Sequence, residues 1–382
     1  MLGINSNINS LVAQQNLNGS QSALSQAITR LSSGKRINSA ADDAAGLAIS
    51  TRMQTQINGL NQGVSNANDG VSMIQTASSA LSSLTSSLQR IRQLAVQAST
   101  GSLSSSDQAA LQKEVAAQIS EVNRIASQTT YNGTNILDGS AGNVTFQVGA
   151  NVGQTISLNL SQSMSAAKIG GGLVQTGQSV GSISVTTDAS GAYTATGAAI
   201  TTVNVLSDGK GGYTFTDQNN QAISSTAVGN IFSNGTAAGT GTAVTNLTLS
   251  TALATSMGTT AASAATASIA EINAINTPPT VSGLNISTVT GANQAMVSID
   301  NALATVNNLQ ASLGAAQNRF TAIATSQQAE STDLSSAQSQ ITDANFAQET
   351  ANLSKAQVLQ QAGISVLAQA NSNPQQVLKL LQ

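Results

Sequence analysis

The residues of this sequence that could do chemistry are few, and the first candidate is a possible nucleophilic serine. Residues 177–181 (Gly-Gln-Ser-Val-Gly) match the G-x-S-x-G pattern, in which hydrolases hold a serine on a sharp turn. Such a serine needs a base, usually histidine, to accept its proton. The chain of 382 residues contains no histidine, and the segment around Ser179 is as rich in Gly and Ser as a loop. We therefore expect no hydrolase site.

Other catalytic or metal-binding arrangements are also missing from the sequence. Asp42 and Asp43 form an acidic pair, but adjacent side chains on a helix diverge and do not share a site. The chain has no cysteine, which excludes disulfides and thiolate metal sites. No phosphate-binding loop, zinc spacing or calcium-loop pattern is present. We therefore expect no catalytic residue, no metal and no cofactor, and we expect that the protein is not an enzyme.

The composition argues against two further classes of partner. Only 8% of the residues are charged, the net charge is −3, and the one basic cluster is Lys35-Arg36, whereas nucleic-acid binding needs several clustered cations. No apolar run approaches the roughly 18 residues of a membrane span. The N-terminus lacks the features of a secretory signal peptide. We expect no nucleic acid, no membrane span, and export without a cleaved signal peptide.

The charged residues begin abruptly after a long uncharged stretch. Residues 1–29 have no charged side chain. A cluster then follows, which consists of Arg30, Lys35, Arg36, Asp42, Asp43 and Arg52. Gly34 interrupts a helical pattern, and Ser39 with Asp42 fits a capping box, in which carboxylates favour the helix N-terminus. One helix should end near Ser33 and the next begin near Ala40. Taken alone, the spacing is typical of a helix–loop–helix with solvated charges.

This segment resembles a known family. Residues 31–47 (Leu-Ser-Ser-Gly-Lys-Arg-Ile-Asn-Ser-Ala-Ala-Asp-Asp-Ala-Ala-Gly-Leu) are similar to the N-terminal signature of bacterial flagellin, the subunit of the flagellar filament. Residues 4–7 (Ile-Asn-Ser-Asn), 346–351 (Phe-Ala-Gln-Glu-Thr-Ala) and 360–363 (Gln-Gln-Ala-Gly) match as well. The site residues of this signature loop are Arg36, Asn38, Asp42, Asp43 and Arg52.

The two ends of the chain share one pattern, an apolar stripe on a charge-poor helix, and over residues 1–29 the opposite polar face is uncharged. Amides and hydroxyls are buried at lower cost than ions, so the pattern indicates helices that are enclosed against other subunits. A merely polar surface helix is the alternative. We expect Asn373-Pro374 to interrupt the last helix. The assembly residues are Ile4, Ile8, Leu11, Leu24, Ile28 and Leu31 near the N-terminus, and Phe346, Leu353, Leu359 and Val366 near the C-terminus.

Long amphipathic helices are predicted between these ends. Residues 71–99 have a coiled-coil seam, which consists of Ile74, Ala77, Leu81, Leu84, Leu88, Ile91, Ala95 and Ala98. The heptad pattern returns with Met296, Ile299, Leu303, Val306, Leu313 and Phe320. Ser104 and Asp107 can cap a helix that lies between these two seams in sequence. We expect Gly59, Gly63 and Gly70 to loosen the chain after the signature loop.

Strands are predicted at the middle of the chain. Residues 144–148 and 156–160 alternate on either side of a Gly-rich turn and predict a β-hairpin. Residues 203–205 and 213–215 flank an Asp-Gly-Lys-Gly-Gly turn and predict a second hairpin. Ile183 and Val185 indicate a further strand, and we expect a helix over residues 261–274.

Together these patterns predict a mainly α fold with a β-rich insert. Because only 2% of the residues are aromatic, long thin helices suit the sequence better than one thick core. Both chain ends should form a coiled-coil-like helical rod that includes the first β-hairpin. The predicted domains are the inner terminal helices at 1–42 and 343–382, the rod at 43–165 and 285–342, and a variable, β-rich outer domain at 166–284.

The resemblance implies a protein that polymerises with itself into the extracellular flagellar filament, for motility. Isolated amphipathic helices are marginal, so we expect the terminal helices to fold on assembly. A heterologous interface that does not close gives an open filament. The implied partners are the flagellar export apparatus, a chaperone on the C-terminal helix, and the filament cap and hook-junction proteins. A hook–filament junction protein and another type III secreted coiled-coil protein are the alternatives.

A second resemblance is local. Residues 89–97 (Gln-Arg-Ile-Arg-Gln-Leu-Ala-Val-Gln) resemble the flagellin stretch that a vertebrate Toll-like receptor recognises. Gln93 stands where a glutamate is often found. A solvated helix face, with Leu94 off the helix seam, is the alternative. Residues 29–50 similarly resemble a flagellin peptide that plant immune receptors recognise. The implied receptor contacts are Gln89, Arg90, Leu94 and Glu114.

Overall fold

The computed structural model of the chain describes residues 7–234 and 246–380, with side chains up to Ser372. The chain forms two compact units, each built from segments that are distant in sequence. Unit 1 comprises Met1–Asn68, Gln147–Thr155 and Ala322–Gln382, and unit 2 comprises Asp69–Phe146 and Ile156–Thr321. The fold is mainly α-helical with a β-rich insert, as predicted.

Helices dominate the described part of the chain, and small antiparallel sheets lie between them in sequence. The helices are α1 (Ile8–Ser33), α2 (Ala44–Ala98), α3 (Ser105–Gln128), α4 (Ser225–Ile231), α5 (Thr251–Met257), α6 (Thr259–Ile275), α7 (Val289–Thr342) and α8 (Phe346–Leu380). The strands are β1 (Thr130–Tyr131), β2 (Thr134–Asn135), β3 (Gly142–Gln147), β4 (Thr155–Leu160), β5 (Ser179–Thr187), β6 (Ile200–Ser207) and β7 (Tyr213–Thr216).

Helix α2 is continuous over 55 residues, so the expectation that its glycines loosen the chain is wrong. The glycines instead allow close packing. A Cβ atom at Gly59 would lie 2.9 Å from the Cβ atom of Ala150, and one at Gly63 would overlap the carbonyl oxygen of Val148. The turn between β3 and β4 therefore lies directly against α2 in unit 1. The Asn66 amide also donates to the Gln147 carbonyl oxygen, at 2.7 Å.

The helical core of unit 2 follows the predicted seam of α2. Every one of the eight seam residues from Ile74 to Ala98 is buried. The capping box of α3 is confirmed, since the Ser104 side chain accepts from the Asp107 N–H and Asp107 accepts from the Ser104 N–H. On α7 the prediction is only partly right. Met296 and Leu303 are half-buried, because the small residues Ala292, Ala295 and Ala302 face the core beside the predicted Ile299 and Val306.

The predicted strands are confirmed. Strands β3 and β4 are paired, and β5, β6 and β7 form a three-stranded antiparallel sheet in that order. Within the sheet, Ile183 lies opposite Val203, and Val205 lies opposite Phe215. Helix α6 covers the predicted residues 261–274 and packs on β5, so the apolar residues of the sheet and of α6 share one core. Helices α4 and α5 are short additions that the sequence analysis missed.

The sequence predicted an interruption of the last helix at Asn373-Pro374, and this prediction is wrong. Helix α8 runs from Phe346 to Leu380. A proline removes a single helical hydrogen bond, because its nitrogen has no hydrogen, and a helix can continue past it where that loss is met in another way. The carbonyl group that loses its donor belongs to Ala370, which accepts a hydrogen bond from Asn7 instead, at 2.8 Å.

Candidate assembly site

The hydrolase pattern does not form a catalytic site. Ser179 is exposed and is the first residue of β5, whereas a nucleophile elbow joins the end of a strand to a helix. Over residues 7–234 and 246–380, no group of three or more acidic, histidine or cysteine side chains could hold a metal ion. No helix in the same ranges is long and apolar enough to cross a membrane.

The loop between α1 and α2 is organised by Asp42. Its Oδ2 atom accepts hydrogen bonds from the backbone N–H groups of Asn38 and Ser39, at 3.2 and 3.0 Å. Its Oδ1 atom accepts from the Gln26 amide of α1 at 3.1 Å and lies 3.7 Å from Arg30 Nη2. These hydrogen bonds lower the pKa of the Asp42 carboxyl, and the bond from Gln26 has the largest effect. The loop is thus closed onto α1.

Helix α2 is capped by Asp43 rather than by Ser39. The Asp43 Oδ1 atom accepts from the Gly46 N–H at 2.8 Å, and the helix begins at Ala44. The predicted start near Ala40 is therefore wrong, and so is the assignment of Ser39 as the cap. The physical reason is that the Ser39 and Asp42 groups bond to each other and close a separate turn before the helix.

This signature loop is joined to the loop between α7 and α8. The Arg36 N–H donates to the Thr342 carbonyl oxygen at 2.7 Å, and the Ala344 N–H donates to the Gly34 carbonyl oxygen at 2.9 Å. The Arg36 guanidinium also donates to the Ile341 carbonyl oxygen, at 2.5 Å. These backbone hydrogen bonds form a loop bridge, which joins the α1–α2 loop to the α7–α8 loop within unit 1.

The other signature residues have smaller roles in this geometry. The Asn38 amide donates to the Lys35 carbonyl oxygen at 3.1 Å, and Arg52 is exposed on α2. Asn345, which the sequence analysis missed, caps α8, because its side-chain oxygen accepts from the Ala347 and Gln348 N–H groups. An asparagine directly before a helical repeat is a recognised sign of such a cap.

Helices α1 and α8 pack against each other in an antiparallel pair through small side chains. Asn7 contacts Ala370 near one end of the pair, and Leu17 lies against Gly363, where a Cβ atom would be 3.4 Å from Leu17 Cδ1. Among the side chains that the structure describes in the two helices, which end at Ser372, the buried apolar residues are all alanines, namely Ala13, Ala27, Ala356 and Ala370. The pair therefore buries little apolar surface by itself.

The large apolar residues of these helices are mostly left exposed. Leu11 is 61% exposed, Phe346 is 70% exposed and Val366 is 57% exposed. The other predicted assembly residues that are exposed are Ile8, Ile28 and Leu359, whereas Leu24, Leu31 and Leu353 are half-buried. Ile4 lies outside the described residues. Val12, Val358 and Ile364 are exposed as well and were not in the predicted set. Large apolar side chains that are left exposed in such numbers on two helices are typical of an interaction site.

The receptor-like residues on α2 and α3 do not all lie on the surface. Gln89 and Arg90 are exposed, and the Arg90 guanidinium donates to Glu114 Oε1, with 2.8 Å from Nε. Leu94, in contrast, is only 1% exposed. Leu94 is therefore not part of a solvated face, although it lies outside the heptad seam, because α2 is enclosed on more than the one face that the heptad spacing marks.

Comparison with known protein families covers most of the chain. The family described as "Bacterial flagellin N-terminal helical region" matches residues 4–142. The family described as "Flagellin, D2 domain" matches residues 172–277. The family described as "Bacterial flagellin C-terminal helical region" matches residues 296–381. The first of these matches includes the signature loop, and the last includes the loop that pairs with it.

Individual relatives match along the whole chain. Flagellin B of Vibrio anguillarum is 37% identical over 389 residues, which cover 100% of this chain and 99% of the relative. The B-type flagellin of Pseudomonas aeruginosa is 35% identical and covers 100% of both. A solved structure of FliC from Burkholderia pseudomallei is 68% identical with a TM-score of 0.61, and it covers 66% of this chain and 100% of its own. The chain therefore belongs to the bacterial flagellin family.

Proposed function

We propose that copies of this chain polymerise through the exposed apolar faces of α1 and α8 and so build the extracellular flagellar filament. One observation supports this most directly. The α1–α8 pair buries alanines, while Leu11, Phe346 and Val366 remain open to solvent. Full burial of a large aliphatic side chain is worth about 1.5–3 kcal/mol, so the lone chain leaves much of its stabilisation unused.

A second copy of the chain is the occupant that fits these faces. Residues 1–29 carry no charged side chain, so an enclosing neighbour would bury amides and hydroxyls, which can share hydrogen bonds, instead of ions. The apolar residues lie on both helices, so each copy can offer one face and receive another. Such a heterologous contact repeats without closing and gives a filament.

Seeded growth of purified protein tests this proposal. Leu11→Ser and Val366→Ser should each raise the concentration needed for growth from sheared filament fragments, by roughly ten-fold or more if the side chain is fully buried in the filament. Gln15→Ser and Gln361→Ser change exposed polar residues of the same helices and are the matched controls. Filament length is measured by electron microscopy.

Two results would count against this function. Equal growth of the apolar and the polar variants would separate α1 and α8 from subunit contacts. Short caps from the unaltered chain, with no long filaments, would favour the alternative role as a hook–filament junction protein.

Covering of the exposed faces before assembly is a further part of the proposal. Val358, Leu359 and Val366 form an exposed apolar stretch on α8, which would drive premature association inside the cell. We assign this stretch to a chaperone that accompanies the chain to the flagellar export apparatus. Val358→Ser should then weaken capture of the chain by that chaperone, whereas Gln361→Ser should not.

Recognition by a vertebrate Toll-like receptor is proposed for the exposed part of the α2–α3 face, namely Gln89, Arg90 and Glu114. Leu94 would support Arg90 from below, because it is buried. Arg90→Ala should lower signalling in a receptor reporter assay. Arg124→Ala removes a comparable exposed ion pair, to Glu121 on α3, and should leave signalling unchanged. An unchanged response to Arg90→Ala would remove this face from the proposal.

A further inference from the structure

One side chain, Asn7, hydrogen-bonds to both the first helix and the last helix. Its Oδ1 atom accepts from the Ser10 N–H at 3.2 Å and so caps α1. Its Nδ2 atom donates to the carbonyl oxygen of Ala370 at 2.8 Å. The two ends of one carboxamide therefore serve two helices at once.

The Ala370 carbonyl differs from its neighbours along α8. In an α-helix the carbonyl of residue i accepts from the N–H of residue i+4, and the residue four positions after Ala370 is Pro374, which has no N–H. Helix α8 nevertheless continues to Leu380. Ala370 is 8% exposed, so its carbonyl is poorly placed to bond to bulk water. Leaving a buried carbonyl without a donor costs free energy.

We infer that Asn7 and Pro374 act as a pair that fixes the axial register of α1 against α8. Pro374 frees one carbonyl on α8, and Asn7 is the group that occupies it. If α1 slid by one helical turn, the Asn7 amide would meet carbonyls that already accept a helical N–H, and the Ala370 carbonyl would have no donor. The loop bridge at Arg36 and Thr342 holds one end of the helix pair, and Asn7 holds the other.

A double-mutant cycle in filaments tests this register contact, and it rests on the proposed assembly function. Asn7→Ser keeps a good N-cap side chain but has no amide to reach Ala370. It should raise the concentration for seeded growth about five-fold, as expected for one hydrogen bond. Pro374→Ala supplies the missing N–H to Ala370, so in that background Asn7→Ser should have nearly no effect. Asn219→Ser, at an exposed position outside α1 and α8, is the control for the substitution itself.

The possible outcomes distinguish the register inference from the proposed assembly function. Equal five-fold effects of Asn7→Ser with and without Pro374→Ala would overturn the register inference, because the two residues would then act independently. No effect of Asn7→Ser in the unaltered background would overturn it as well. Absence of seeded growth from the unaltered chain would instead overturn the assembly function, and this inference with it.

Discussion

At Gly70 a missing side chain decides how the helical core of unit 2 closes. The Phe320 ring is fully buried and meets Phe146 edge-on, with ring centroids 5.3 Å apart. The same ring lies against α2, where a Cβ atom at Gly70 would be 2.7 Å from its Cε1 atom. A glycine that looks like a helix breaker in the sequence therefore makes room for one of the few aromatic residues of the chain.

Gly70→Ala should accordingly destabilise unit 2, although alanine is the better helix former. Overpacking of a buried ring costs about 1–3 kcal/mol. Gly314→Ala is the matched control, because a Cβ atom there meets no atom within 4 Å, and it should stabilise α7 by roughly 0.5–1 kcal/mol. Urea unfolding followed by circular dichroism measures both changes. Two changes of the same sign would contradict this account of Gly70.

Two aspartates in turns give the fold a dependence on acid. The Ser140 hydroxyl and N–H donate to Asp138, and the Ser190 hydroxyl, with the Ala192 N–H, donates to Asp188. These bonds favour the charged form, so the pKa of each carboxyl lies below its usual value. Because the folded-state pKa is depressed, the stabilisation is present above the unfolded value of about 3.9 and is lost as the pH falls through the folded pKa.

We expect the Asp138 and Asp188 carboxyls to titrate below about pH 3.9 when followed by NMR. Asp188→Asn keeps an oxygen acceptor for the turn but removes the charge. It should therefore reduce the loss of stability in acid and leave the stability at neutral pH closer to the unaltered chain than Asp188→Ala does. A carboxyl that titrates at its ordinary value would show that the turn bonds do not favour its charged form.

Helix α3 begins with a capping box. Ser104→Ala removes the hydroxyl that accepts from the Asp107 N–H and should cost about 1 kcal/mol of unfolding free energy. Ser120→Ala changes a hydroxyl that donates to Ala116 in the middle of the same helix, and it should be neutral or slightly stabilising, since alanine is the best helix former. Chemical unfolding of the two variants compares them. A similar cost for both would mean that the cap is not what matters.

How well a helix could be predicted from the sequence depended on the residues that pack against it. The eight-residue seam of α2 was predicted completely, because its five leucines and isoleucines at heptad spacing mark one face, and its three alanines fall on the same face. The seam of α7 was not, because Ala292, Ala295 and Ala302 face the core, and alanine does not mark a face in a sequence rich in alanine. The glycines of α2 were misjudged for a related reason. Their partners, Ala150, Val148 and Phe320, are far away in sequence.

Helices α1 and α8 were predictable as amphipathic helices, but it was not predictable which of their apolar residues are buried in the pair and which stay exposed. The sequence treats Leu11 and Ala13 as similar apolar positions, whereas the structure buries Ala13 within the helix pair and leaves Leu11 exposed. That choice depends on how closely two backbones approach, which Gly363 on the partner helix permits. The loop bridge from Arg36 to Thr342 joins residues that no local pattern connects.

For the whole molecule, we expect the chain ends to be the least stable part of the monomer. Helices α1 and α8 bury mainly alanines against each other, whereas α2 in unit 2 buries leucines and isoleucines. Hydrogen exchange should therefore be fast over residues 8–33 in the monomer and slow in the filament. Residues 74–98 should be protected in both states and serve as the internal control. Strong protection of residues 8–33 in the free monomer would argue against folding coupled to assembly.

The loop bridge between the α1–α2 loop and the α7–α8 loop also has a consequence for synthesis of the chain on the ribosome. Arg36 and Ile341 are 305 positions apart, and closing a loop of that length costs about 5 kcal/mol in chain entropy. A ribosome that adds 5–20 residues per second delivers the second partner roughly 15–60 seconds after the first. Throughout that interval the signature loop lacks its partner, the α7–α8 loop. A chain that stops before residue 341 therefore lacks both the bridge and α8.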